Sequence, residues 1–476
     1  MTADDLAYMS AASALERFGS RELSPRDVFQ SVTRRIMSHN SAINAFGDMF
    51  LDDAATSIQK AERRWADGTA GPLEGILVAV KDAQGVAGQR TTFGSPSLKD
   101  NIISTDDPTI ERLRAAGAVI HARTTVSEFC ISGVCSSPMW GTTRNPWNLD
   151  FSPGGSSGGS AAALAAGMTT LATGTDMGGS IRVPASACGV VGYKPPHGRN
   201  PDGAPFNLDR LNACGPLARS VADLALFQNV VAGRHGSDPD SLPHPPVLPT
   251  ILTRDFRGLR IGWSIDLSYR RVAGEVAANT LKAIETMRDL GCVCEHVELG
   301  WTGEIEEAAA SWFAVFGTSG MLLDAVSREP SSVSADLRKL SGHIRRARGN
   351  ADALSRVFRV ISAMNGTFER ALSAFDVFVC PTMAVAAVKA DQHMWATDFR
   401  IEGEIVDPEF GYSMTHQFNL LGACPVISIP SGLTAQALPT GIQIVGKPFD
   451  ELCVFELALG FEAAIGPFPV PDHWND

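Results

Sequence analysis

The chain has 476 residues, of which 44% are hydrophobic and 19% are charged. This composition can bury a large core and is unlike that of a disordered chain. The formal net charge of −12 disfavours a nucleic-acid partner, because binding to phosphates relies on Lys and Arg. We therefore expect a small molecule as the substrate.

The cysteines and the N-terminal residues bear on the compartment. The nine cysteines show no CxxC pair and no Cys/His cluster, so we expect reduced thiols, no metal site and a cytoplasmic protein. The first residues lack a basic segment followed by a long apolar core, and we expect no signal peptide. The charge-free segment 151–175 is too rich in Gly, Ser and Thr to span a membrane, so we expect no membrane association.

The N-terminal segment, about 1–66, is predicted to be helical. Ser24 and Pro25 have the residue types of an N-cap and a first-turn position, and they mark the start of one helix. A second helix is predicted over 52–66, ending before a glycine.

A buried strand is predicted next, at 75–80. Its continuous apolar sequence GILVAV is typical of a strand covered on both faces. Lys81 follows directly, and it either reaches solvent or belongs to a site. A helix over 108–117 and a strand at 118–122 continue the alternation, which indicates an α/β fold.

Two glycine-rich serine loops occupy the middle of the chain. The first surrounds Ser156 and the second ends at Ser180, with a helix predicted over 157–167 and a strand over 168–174. This order of loop, helix, strand and loop would return Ser180 close to Ser156. A flexible linker would not bring them together.

The rest of the chain is predicted to alternate helices and strands before a long helical region. A helix is expected over 216–232, and the chain is mostly helical over about 303–375. Three strands are expected near the end, at 376–380, 425–429 and 441–445.

The serine loops are compatible with more than one chemistry. Phosphate binding is excluded because the sequence contains no GxxxxGK[ST] motif. An α/β-hydrolase-type esterase with Ser156 as nucleophile stays open, since GGSSG satisfies GxSxG and His393 or His416 could act as its base. The other reading makes Ser180 the nucleophile, with converging backbone amides as an oxyanion hole and a buried neutral lysine as base.

The segments GGSSGGSAAALAAG and GTDMGGSIRVPAS, with VAVKD upstream, resemble the amidase signature family of Ser-cisSer-Lys hydrolases. The likeness extends to TRNPWN and GPLARSVADLAL and covers essentially the whole chain. It implies one domain over 1–476, with a signature core at about 73–232 and a variable, substrate-determining helical region at about 303–375. The implied fold is α/β, a large mixed and mainly parallel central sheet covered on both sides by helices.

The resemblance also implies roles for individual residues. Ser180 would be the nucleophile, Ser156 a bridging serine held by a cis peptide, and Lys81 the neutral general base. The implied oxyanion hole consists of the backbone amides of Met177, Gly178, Gly179 and Ser180. The implied loop supports are Ser157, Asp176 and Arg182. The implied reaction is hydrolysis of a carbon–nitrogen amide bond through an acyl-enzyme, without a metal or an organic cofactor.

Substrate choice is expected to lie in the loop before the first serine motif and in the variable helical region. The residues predicted to line the pocket are Cys130, Gly133, Trp140, Trp312 and Phe316. Because most are apolar or aromatic, we expect an acyl or aryl amide, while carbamates and esters share the same acyl chemistry. An alternative is the glutamine-hydrolysing A subunit of an amidotransferase complex. The family also suggests a homodimer.

Overall fold

The computed structural model describes residues 6–471 and 474. The first five residues of the predicted N-terminal helical segment, and the last few of the predicted domain, lie outside the described residues. The α-helices are α1 (Ala11–Gly19), α2 (Pro25–Ile43), α3 (Leu51–Asp67), α4 (Pro108–Ala115), α5 (Gly158–Ala165), α6 (Arg182–Cys188), α7 (Val221–Val231), α8 (Gly274–Asp289), α9 (Glu304–Val315), α10 (Ser319–Arg328), α11 (Ala335–Arg348), α12 (Ala351–Leu372), α13 (His416–Leu420) and α14 (Glu451–Ile465).

The strands occupy both halves of the chain. They are β1 (Phe46–Met49), β2 (Leu77–Lys81), β3 (Val119–Thr124), β4 (Ser136–Ser137), β5 (Gly141–Thr142), β6 (Leu171–Asp176), β7 (Val191–Lys194), β8 (Ala213–Ala218), β9 (Arg260–Trp263), β10 (Val293–His296), β11 (Val377–Pro381), β12 (Arg400–Ile401), β13 (Glu404–Ile405), β14 (Val426–Leu433) and β15 (Pro439–Gly446).

Eleven of these strands form one mixed sheet, in the order β1-β3-β2-β6-β8-β7-β14-β15-β11-β9-β10. Strand β2 pairs in parallel with β3 and β6, and β9 pairs in parallel with β10 and β11. The other six pairings of this sheet, within the described residues, are antiparallel. The predicted mixed sheet is confirmed, but antiparallel pairs outnumber the expected parallel ones. The reason is that β14 and β15 form a hairpin and β8 runs opposite to both of its neighbours.

The sheet is covered on both faces, and alternate side chains of a strand pack on opposite sides of it. On β11, Val377 and Val379 belong to one apolar cluster, which includes residues of α14. Phe378 and Cys380, which alternate with them, belong to a second cluster that includes residues of α9 and α12. Helices therefore cover both sides of the sheet, as the sequence predicts.

One local prediction is confirmed and another is wrong. The hydroxyl of Ser24 accepts a hydrogen bond from the Arg26 amide at 3.1 Å, so it caps α2 as predicted. The helix predicted over 216–232 begins only at Val221, because its first residues belong to β8, which pairs with β6. Gly215 and Pro216 hide this strand from a reading based on hydrophobic alternation.

The apolar helices and the cysteines bear on the predictions about membranes and disulfides. No single helix there is long and apolar enough to cross a membrane, although α9 and α10, bent by 50° at the break between them, pass the same test as a pair by length and composition. All nine cysteines are free thiols.

Candidate active site

Lys81 is the last residue of β2, and its side chain is fully buried. Its Nζ atom lies 2.8 Å from Ser156 Oγ and 2.7 Å from Thr175 Oγ1. Its backbone amide donates to Thr173 Oγ1 at 3.0 Å, which ties the end of β2 to the neighbouring strand β6. Burial lowers the pKa of the Lys81 amine, because desolvation disfavours its charged form. This environment suits an amine that accepts a proton.

The first serine loop is held against the second by backbone contacts. The Gly155–Ser156 peptide bond is cis. The amide of Ser157 donates to the carbonyl oxygen of Ser180 at 3.2 Å, which places the two predicted loops side by side. Every residue of α5 is buried, so the small side chains after this loop serve close packing.

The second serine loop is folded around the carboxylate of Asp176. This carboxylate accepts hydrogen bonds from the amide of Gly179 at 2.8 Å and that of Ile181 at 3.2 Å. It also pairs with the guanidinium of Arg182 at 2.8 Å. Burial alone would raise the pKa of Asp176, but Arg182 and neighbouring donors outweigh it and lower the pKa to about 2. Asp176 is therefore an anion that shapes the loop.

Gly179 occupies a position that only glycine fits. Its φ angle is +123°, and an added Cβ would overlap the hydroxyl of Thr415. The sequence prediction places the amide of Gly179 in the oxyanion hole, but in the structure this amide donates to Asp176 instead. Three members of the predicted oxyanion hole remain, namely the amides of Met177, Gly178 and Ser180.

We expect Asp176→Asn to lower the free energy of unfolding by about 3–5 kcal/mol, because it leaves the buried guanidinium of Arg182 without a charged partner. Both side chains are fully buried, so solvent does not screen the pair. Urea unfolding monitored by circular dichroism measures the change. Since the folded pKa is lowered, the contribution of Asp176 is present above about pH 4 and is lost as the pH falls towards 2.

The matched control is Asp255→Asn, which removes a carboxylate from the exposed pair with Arg257. This change should leave the free energy of unfolding nearly unchanged, because exposed ion pairs contribute little. An equal loss in the two variants would contradict the structural role given to Asp176.

A cavity of about 510 Å³ opens beside Ser180. Part of its wall is aromatic: Phe313 and Phe410 lie parallel, with ring centres 6.0 Å apart and planes inclined by 9°. Phe313 also covers the second serine loop, since an added Cβ on Gly178 would lie 2.9 Å from its Cζ. The cavity therefore presents a flat apolar surface directly above the loop that carries Ser180.

Three of the five residues predicted to line the pocket do line this cavity, namely Cys130, Gly133 and Phe316. Burial raises the pKa of the Cys130 thiol, so this thiol stays protonated. Cys130 and Gly133 belong to the loop before the first serine motif, so this loop contributes to the cavity wall as predicted.

Trp140 and Trp312 need a correction, since neither belongs to the described lining of the cavity. The indole of Trp140 donates to Asp82 at 2.8 Å, and that of Trp312 donates to Asp209 at 2.9 Å. A buried indole N–H requires such an acceptor, which fixes both rings away from the cavity. Trp312 instead stacks behind Phe316, with ring centres 4.1 Å apart.

The sequence does not decide which aromatic residues of α9 face the cavity, and it gives no sign that the loop around Glu409 contributes to the lining. On α9 the face towards the cavity carries Phe313, one position after Trp312, so only the rotation of the helix separates wall from core. Glu409, Phe410 and Tyr412 come from a loop more than 220 residues beyond Ser180 and carry no motif. No sequence signal links that loop to the serine motifs; the sheet topology and its packing bring it there.

The histidines required by the esterase reading are poorly placed for it. No hydrogen bond joins His393 or His416 to Ser156 in the part of the chain that the structure describes. His393 Nε2 lies 3.1 Å from Asp336 and lines a second cavity. His416 is buried at the first cavity, and burial lowers its pKa well below the usual value. The lysine is therefore the basic side chain beside Ser156.

Known proteins resemble this chain over nearly its full length. The Amidase family profile matches residues 27–455. The chain is 31% identical over 472 residues to an acylamidase from Rhodococcus erythropolis, with 97% of both chains covered. It is 33% identical over 475 residues to the A subunit of a glutamyl-tRNA(Gln) amidotransferase from Geotalea daltonii, covering 94% of this chain and 95% of that one. The structure of a bacterial aryl acylamidase of the amidase signature family matches with a TM-score of 0.89 at 28% identity, over 96% of each chain.

Proposed function

This chain belongs to the amidase signature family and is a hydrolase of carbon–nitrogen amide bonds, and we propose that Ser180 is its nucleophile, with Ser156 and Lys81 as a proton relay. One observation carries the proposal: the Nζ atom of a fully buried lysine lies 2.8 Å from Ser156 Oγ. The hydrogen bond from the Ser157 amide to the Ser180 carbonyl adds support, because it ties the nucleophile loop to the relay.

The proposed mechanism has two halves. Ser180 Oγ attacks the amide carbonyl while its proton passes through Ser156 to the neutral amine of Lys81. The amides of Met177, Gly178 and Ser180 stabilise the oxyanion that forms. The relay then returns the proton to the departing amine, which leaves an acyl-enzyme. Water, deprotonated by the same relay, releases the acid and regenerates the serine.

We propose an acyl or aryl amide as the substrate. The parallel rings of Phe313 and Phe410 would stack with a flat apolar group, and a cavity of about 510 Å³ suits a small molecule. The similar acylamidase and aryl acylamidase agree with this class. Carbamates and esters present the same carbonyl and would react by the same steps.

Glutamine is a weaker candidate, although the chain resembles amidotransferase A subunits. Glutamine carries an α-carboxylate, and no Lys or Arg is among the described residues that line the cavity. Burying that carboxylate without a cationic partner is costly. The lining therefore disfavours a substrate that carries a carboxylate.

The test of this proposal is a hydrolysis panel of anilides, primary amides, carbamates and glutamine. We expect kcat/KM for the best anilide or acyl amide to exceed that for glutamine by at least about 100-fold, because the cavity lacks a partner for the α-carboxylate. Glutamine as the fastest substrate would contradict the assignment. The Ser180→Ala protein measures any background hydrolysis.

Three further expectations follow from the family and the fold, and we propose them together. One domain is supported by the single sheet that β1 and β15 share. A cytoplasmic location is supported by nine free thiols. A homodimer is proposed from the family resemblance alone, and light scattering of the purified protein tests it.

A further inference from the structure

The substrate cavity contains one charged side chain that the proposed relay does not use. Glu409 is the only Asp, Glu, Lys or Arg among the described residues that line the cavity. Its two carboxylate oxygens accept hydrogen bonds from the hydroxyl of Ser132 at 2.9 Å and the amide of Gly133 at 3.2 Å. A carboxylate without a cationic partner, in a mainly apolar cavity, calls for one.

The protein itself supplies no cationic partner. Within the described residues Glu409 forms those two hydrogen bonds and no ion pair. Burial, together with the nearby carboxylate of Asp407, raises the pKa of the Glu409 carboxyl to about 7. A carboxylate in this position has lone pairs left to accept hydrogen bonds from a ligand.

The position of Glu409 places it close to the proposed chemistry. The two residues that it holds, Ser132 and Gly133, pack against Gly155, where an added Cβ would lie 2.6 Å from the Ser132 carbonyl oxygen. Gly155 directly precedes Ser156. Glu409 therefore lines the same cavity as Ser180 and contacts the loop that packs against the residue before Ser156.

A second polar group lies beside the same loop. The hydroxyl of Tyr412 is so close to Gly133 that an added Cβ there would overlap it. Tyr412 is fully buried, lines the cavity, and its hydroxyl has no hydrogen-bond partner among the described residues. Glu409 and Tyr412 thus place two polar groups beside Gly133 in a cavity that is mainly apolar.

We propose that Glu409 sets the charge selectivity of the cavity, favouring amides whose apolar body carries an amino group or another hydrogen-bond donor and rejecting those that carry a carboxylate there. A donor supplies the partner that Glu409 lacks, and a charged donor binds more strongly than a neutral one. A second anion would be repelled in a cavity of low dielectric. This inference rests on the proposed function and names its substrate class.

The experiment uses two series of matched aromatic anilides, with the para substituent on the acyl ring in one series and on the amine ring in the other. The substituents are aminomethyl, ethyl and carboxylate. In one series at least, we expect wild-type kcat/KM to favour aminomethyl over carboxylate by about 100-fold. We expect Glu409→Gln to reduce this ratio at least about tenfold. The control Glu404→Gln, at an exposed residue paired with Arg271, should keep the wild-type ratio.

An unchanged ratio in Glu409→Gln would overturn the inference, and so would an equal loss on all three substrates, which would mean that Glu409 only holds the loop. Labelling with a fluorophosphonate shows whether the variant retains an assembled site. A further test needs no variant: the wild type is inhibited with the reaction products that carry the aminomethyl or the carboxylate substituent. Equal inhibition by these two products would also overturn the inference. Failure of the proposed function looks different, because then the ethyl anilide would not be hydrolysed through Ser180.

Discussion

Ser180→Ala should reduce kcat by at least about 10⁴-fold on every amide that the enzyme hydrolyses, because no acyl-enzyme can form without the nucleophilic oxygen. The hydroxyl lies at the cavity, in a loop held by Asp176 rather than by Ser180 itself. The protein should therefore fold normally and still bind substrate. Steady-state kinetics with the best anilide, together with thermal unfolding, measures both effects.

The matched control is Ser373→Ala, at an exposed serine that ends α12 far along the chain from the serine loops. It should keep the wild-type kcat. Wild-type turnover by Ser180→Ala on the same substrates would show that another group attacks the carbonyl.

Lys81→Ala should lower kcat by about 10³-fold, which is within the range that general acid–base catalysis contributes. The alanine leaves Ser156 without a proton acceptor, whereas Ser180 and the oxyanion donors stay in place. The pH profile gives an independent measure. The neutral amine is the active form, so wild-type kcat/KM should rise as the pH rises through the pKa of Lys81, which burial lowers. That rise should be missing from the profile of Lys81→Ala.

Lys60→Ala is the control, because Lys60 is an exposed residue of α3. Its kcat and pH profile should match those of the wild type. If Lys81→Ala kept the same ascending limb at a reduced rate, the titrating base would be a different group, and the relay would need revision.

The parts of the fold that sequence could predict are those set by local patterns. The apolar run before Lys81 has no reading other than a buried segment, and it forms a strand within one or two residues of the expected bounds. The uncharged helix between the serine loops was predictable, because only small residues allow such close packing. β8 was missed because Gly215 and Pro216 interrupt its pattern, although its ladder with β6 is continuous.

The candidate site also has parts that local sequence motifs predict and parts that they do not. Lys81, Ser156 and Ser180 stand in motifs within 100 residues of one another, and the structure brings Lys81 and Ser156 into contact. Trp312 and Phe313 are adjacent in sequence, yet only the second faces the cavity, because the rotation of α9 decides it. Glu409 reaches the cavity through long-range packing that no local pattern encodes.

The most direct test of the central claim is to treat the wild-type protein with a fluorophosphonate and locate the modified serine by mass spectrometry of its peptides. The reagent reacts with an activated serine, and the proposed relay activates Ser180. We predict a single adduct on Ser180, formed much more slowly in Lys81→Ala. An adduct on Ser156, with Ser180 unmodified, would contradict the account.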